Sequence, residues 1–190
     1  MDAHDHDTMP LRSLALAATL HCLTGCAIGE ILGLVIGTAA GLATGWTIVL
    51  SILLAFLFGY LLSTLPVLKA GLGVGAALSV VLAADTLSIG VMELVDNTVV
   101  ALIPGAMDAG LVNSTFWVGL LVALSAAFVA AYPVNRWLLG RGKGHALTHA
   151  YHGAAAATGW RRLIPTIATS TLVVGILAFA GGGLLVSLAN

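Results

Sequence analysis

Hydrophobic positions fall into five long blocks along this chain, separated by short polar or glycine-rich joints. The blocks lie at about 14–38, 45–62, 67–103, 112–139 and 163–188. A helix needs roughly 20 apolar residues to cross a hydrocarbon layer of about 30 Å. Four of the blocks suit one crossing each. The third is too long: as one helix, at about 1.5 Å per residue, it would reach about 55 Å. It reads as two spans, or as one long helix loosened at Gly71, Gly73 and Gly75.

Charge decides between these. The chain has seven basic residues: Arg12, Lys69, Arg136, Arg141, Lys143, Arg161 and Arg162. With five spans and a cytoplasmic N-terminus, all of them fall on the cytoplasmic side, as the positive-inside rule asks. Splitting the third block would put Arg12 and Lys69 opposite the basic loop. The expected fold is therefore all-α: a polytopic membrane helix bundle of five transmembrane helices, N-terminus cytoplasmic and C-terminus outside. Residues 1–12 form a cytoplasmic tail rich in His and Asp. Residues 13–190 form one bundle, with a basic, histidine-bearing cytoplasmic loop at 140–162. Trp46, Phe116 and Trp117 should mark the outer interface, and Tyr60, Tyr132, Trp137 and Trp160 the inner one.

Composition agrees with a membrane protein. The chain is 59% hydrophobic and 8% charged, against about a quarter charged in soluble domains. The plasma (inner) membrane of a bacterium or archaeon is the expected location, with the lipid bilayer as the first partner. The acidic start, Met1 to Asp7, does not read as a secretory signal. Two cysteines cannot build a disulfide framework. So few basic groups exclude nucleic acid as a partner. Phosphate-loop, GxSxG and HExxH patterns are absent.

The polar residues inside the blocks carry the candidate chemistry. The first block reads His21-Cys22-Leu23-Thr24-Gly25-Cys26-Ala27-Ile28-Gly29-Glu30. Ionisable groups in hydrocarbon are costly unless they meet a partner, water or a metal. Cys22, Cys26 and Glu30, four apart, lie along one helical stripe. His21 sits about 100° round from Cys22. Thiolate suits Cu(I) or Zn(II), and imidazole suits Zn, Cu, Fe and Ni. The third block adds Asp85, Met92, Glu93 and Asp96. Asp85, Met92 and Asp96 fall within about 40° on a helical wheel, with Glu93 about 80° from Asp85. Registered at their outer ends, the two helices bring Glu30 level with Glu93 and Cys22 near Asp85. Outside the tail, every carboxylate lies in the first or third block or the outer loop, with no Lys or Arg placed to pair with it. That favours cations over anionic substrates. Met107 and Asp108 in the outer loop suit a funnel to this site.

Two further patterns stand out. Gly25, Gly29, Gly33 and Gly37 form a small-residue ridge suited to close helix packing, against the third span or against another protomer of a homo-oligomer. On a helical segment, His145, His149 and His152 would share one face of the cytoplasmic loop. They suit a Zn, Ni or Cu relay site or a pH-sensitive surface, and a cytoplasmic metal chaperone is an expected partner. His4 and His6, among acids and near Met1 and Met9, resemble a weak metal-scavenging tract.

The sequence resembles a family known as domain of unknown function 4396. The resemblance rests on the His21–Glu30 run, on Ile103-Pro104-Gly105-Ala106-Met107-Asp108-Ala109-Gly110, and on Pro133-Val134-Asn135-Arg136-Trp137 with Gly142-Lys143-Gly144-His145. It extends from about Leu11 to Leu188. It implies a multi-pass protein near copper handling, and no established activity.

The leading expectation is a transporter or channel for a soft transition-metal ion, copper before zinc. Met92, Glu93 and Asp96 would collect the ion, and Glu30, Cys26 and Cys22 would pass it on. The alternatives are a membrane redox enzyme with a fixed metal, or a haem iron held by His21 and a second histidine, and a structural or assembly subunit.

Overall fold

The computed structural model describes residues 11–141, 159–165 and 168–189. Five helices account for nearly all of them: α1 (Leu11–Ala39), α2 (Thr44–Lys69), α3 (Val74–Leu102), α4 (Ser114–Gly140) and α5 (Thr169–Ala189). A short 3-10 turn, Gly159–Leu163, precedes α5. All five helices are long and apolar enough to cross a membrane. No strand occurs among the described residues.

The long third block divides between the last turn of α2 and the whole of α3, so the α2–α3 corner lies later than the apolar pattern suggests. Helix α2 runs on to Lys69, and the break falls at Ala70–Gly73. Gly71 adopts φ 113° there, a left-handed conformation that costs other residues a clash with Cβ. The Gly71 amide donates to the Leu68 carbonyl (3.1 Å) and the Leu72 amide to that of Val67 (3.4 Å). This paired closure satisfies the last carbonyls of a helix. The α1–α2 corner repeats it at Gly41 (φ 65°), with Gly41 donating to Thr38 and Leu42 to Gly37. Helix α4 starts on Asn113, whose side chain accepts from the Thr115 amide at 2.9 Å.

The alternating helices sort the charges. Lys69 donates to the Ile164 carbonyl and Arg161 to the Leu68 carbonyl, each at 3.1 Å. Arg12 shares a groove with Tyr132, while Arg136 and Arg141 close α4. This is the basic end. At the opposite, acidic end, Thr44 donates to Asp108 at 3.4 Å and ties the 103–113 loop to α2.

The glycine ridge packs α1 against α2, not against α3 or a second protomer. A Cβ on Gly25 would lie 2.6 Å from Gly59 Cα, and one on Gly29 2.1 Å from the Ala55 nitrogen. On Gly33 it would meet Ser51, and on Gly37 Thr47. Positions therefore advance by four on α1 and retreat by four on α2, as two antiparallel small-residue ridges must. Helices α3 and α4 complete the core, and α5 packs on α1 and α4 with most of its surface exposed. Of the aromatic residues expected at the interfaces, Trp117 is turned into the bundle, while Tyr60 is half-buried. Trp117 is only 3% exposed, its ring filling the space opened by Gly183, and its Nε1 donates to the Leu111 carbonyl at 2.8 Å. Tyr60 packs on the core cluster that contains Cys22, and its hydroxyl meets that of Thr86 at 2.9 Å.

Candidate functional site

Helices α1 and α3 run parallel, and their polar stripes face each other. Four-residue steps on α1 meet three- and four-residue steps on α3, so the side chains fall into levels. Nearest the acidic end, the carboxyl groups of Glu30 and Asp96 lie against each other. One turn deeper, the Cys26 thiol lies against Glu93. Another turn on, Cys22 lies beside Ser88 and near Asp85. Met92 is 1% exposed and shares one packed cluster with Cys22, Cys26 and Ile89. Two thiols and a thioether thus form a buried soft patch between the carboxylate levels.

The expected register was one turn off for Glu93. Glu30 pairs with Asp96, while Glu93 stands at the level of Cys26; the approach of Cys22 to Asp85 is as expected. With Glu30 level with Asp96, Glu93 lies about 4.5 Å deeper on α3 and Cys26 about 6 Å deeper on α1, so these two meet.

A vestibule with carboxylates set in a largely apolar wall opens onto this column from the acidic end. Its volume is about 290 Å³. Glu30 and Asp96 line its inner part, with Thr47, Ser51 and Asn97, and Thr44, Met107 and Asp108 line it toward the loop. Met107 and Asp108 are thus placed where a funnel would need them. The interior is polar at a cost. Both Glu93 oxygens, Asp96 Oδ1, Glu30 Oε2 and Ser88 Oγ are buried without a hydrogen-bond partner among the described residues. A buried polar atom left unsatisfied costs about 1–3 kcal/mol. Five in one column are hard to reconcile with a purely structural role.

No three His, Cys, Asp or Glu side chains converge to hold one ion among the described residues. The column is a series of pairs rather than a cage. His21 is buried on α1 one residue before Cys22, and no histidine lines the vestibule. His4, His6, His145, His149 and His152 lie outside the described residues. Several residues of the column carry no signal as single positions in the sequence. Ser88 and Asn97 are ordinary membrane-helix residues by type. Thr47 and Ser51 would have emerged only from the four-residue spacing of α2.

A family model for the domain of unknown function DUF4396 matches residues 13–144. The chain belongs to this family. In this DUF4396 protein the matched stretch carries α1 to α4, hence every level of the column and the whole vestibule. It stops short of Leu188, so α5 lies beyond the match. Neither a curated protein nor a solved structure matches the chain.

Proposed function

We propose that the protein moves a soft transition-metal cation, Cu(I), across the bacterial or archaeal inner membrane by ligand exchange. One observation carries the reading. The acid-lined vestibule ends on Glu30 and Asp96, and the Cys26–Glu93 and Cys22–Met92 groups continue directly from that floor. Carboxylates attract a cation, and thiolate with thioether selects Cu(I) over Mg, Ca or Mn. Pairs of ligands suit passage, because a site that holds an ion too well does not release it. Thiols must lose their protons to ligate, so protons leave as the ion arrives. By the positive-inside rule the basic end is cytoplasmic, and there a metal chaperone would meet the histidine-bearing loop. With the glycine ridge consumed inside the protomer, a homo-oligomer would use other faces, such as the exposed side of α5.

Metal analysis tests the reading. Purified protein loaded with Cu(I) should keep stoichiometric copper, and Cys22→Ser and Cys26→Ser should lose it. In liposomes Glu30→Gln should abolish copper uptake. Wild-type protein that neither binds nor passes copper refutes the proposal, and passage of zinc alone refutes the choice of cargo.

A further inference from the structure

Beyond Cys22 the column stops at a buried polar bolt. Asn135 of α4 donates from Nδ2 to Thr19 Oγ1 of α1 at 3.0 Å, and Thr19 Oγ1 donates to the Ala15 carbonyl at 2.8 Å. Thr19 is 0% exposed and Asn135 3%. Thr19 lies three residues before Cys22, about 4.5 Å nearer the basic end. Ala15, Ala18, Ala131 and Leu138 are buried along the same stretch of α1 and α4. The column is thus open through the vestibule and shut at the bolt. An amide is costly to bury within a membrane span, and this one joins two helices by a single neutral hydrogen bond.

Two residues before Asn135, α4 contains Pro133. Proline supplies no amide hydrogen, so the Val129 carbonyl lacks its helical donor, and helices bend at such points. The segment beyond it, Val134–Gly140, carries Asn135 and ends where the Arg141 guanidinium sits 3.9 Å over the Trp137 ring. A swing of this segment about Pro133 would lift Asn135 off Thr19 while the four matched levels of the α1–α2 ridge stay packed.

We infer that the Thr19–Asn135 bridge is the basic-end gate of the pathway, opened by bending of α4 at Pro133. The inference rests on reading the α1–α3 column as a path. It makes the described structure the state open to the acidic end.

The native thiols report on it. In full-length Cys26→Ser protein, Cys22 is the sole cysteine. A membrane-impermeant maleimide applied from the basic face should label it slowly. Thr19→Val and Asn135→Ala, each in that background, should raise basic-face labelling about tenfold, as expected when a buried hydrogen bond is lost. Labelling from the acidic face should stay as it was. Thr19→Val keeps nearly the same size, so it decides the matter should Asn135→Ala fail to fold. An unchanged basic-face rate in Thr19→Val overturns the gate, and so does an equal rise from both faces, which would report general loosening. The label reads a thiol and not a metal. Failure of copper binding with the labelling response intact therefore refutes the cargo and leaves the gate standing.

Discussion

Replacing Gly29 with alanine should damage the bundle, whereas the same change at Gly90 should strengthen it. A methyl carbon on Gly29 would lie 2.1 Å from the Ala55 nitrogen and 2.3 Å from its Cα. Those are backbone atoms and cannot rotate away. Ordinary contact begins at 3.4 Å, so α1 and α2 must part by about 1.3 Å (3.4 less 2.1). Overpacking of this kind costs about 1–3 kcal/mol, against about 1 kcal/mol returned by the better helix propensity of alanine. Gly90 lies inside α3 with nothing within 4 Å of its would-be Cβ. There propensity acts alone and contributes about 0.5–1 kcal/mol. The two variants should differ by about 2 kcal/mol, or about 4–8 °C in a chain of this size. Thermal unfolding of purified protein in detergent, followed by far-ultraviolet circular dichroism, measures the gap. Gly29→Ala melting as high as Gly90→Ala would refute the intimate α1–α2 contact.

Gly183→Ala places a methyl 2.3 Å from the Trp117 ring; it should push the indole outward, shift tryptophan emission to the red and loosen α5, at a cost of about 1–3 kcal/mol. An unmoved emission spectrum would contradict the packing of α5 on α4. Lys69→Ala with Arg161→Ala removes two hydrogen bonds that tie the Gly159–Leu163 turn and the adjoining Ile164 to the end of α2. Limited proteolysis near Leu163 should accelerate in this double variant while the melting temperature falls by the equivalent of about 1 kcal/mol. Unchanged cleavage would show that the turn is held by other contacts.

Most of the helical frame is legible in the sequence because burial in lipid leaves continuous apolar runs. The α2–α3 corner is not. Val67 and Leu68 are apolar, so they join the third block, although they end the second helix. What sets the corner is the left-handed Gly71, a backbone requirement that hydropathy does not weigh. The carboxylates and cysteines could be singled out because they are expensive where they lie. Their pairing depended on a helical register finer than one turn, which is why Glu93 was assigned to Glu30 rather than to Cys26. The pairing of Asn135 with Thr19 carries no sequence signal, because a lone Asn or Thr in a membrane helix is common and its meaning comes from the residue opposite. The glycine ridge was conspicuous, but its complement on α2 mixes four residue types and shows only as a spacing.

That complement is graded. From the basic to the acidic end, Gly25, Gly29, Gly33 and Gly37 face Gly59, Ala55, Ser51 and Thr47, each bulkier than the one before. At the first two levels the nearest atoms are backbone, and at Gly37 all three belong to the threonine side chain. The side chains grow along the series, but the helices separate only at its acidic end. The two backbones come closest at Gly29 and Gly33 and part only at the last level, where Gly37 meets Thr47 at the wall of the vestibule. The same taper removes an ambiguity that a uniform ladder would carry. Sliding one helix by a rung, about 6 Å, would drive threonine into a gap cut for serine. Four unequal residues thus encode both where α1 and α2 must align and how wide the mouth between them opens.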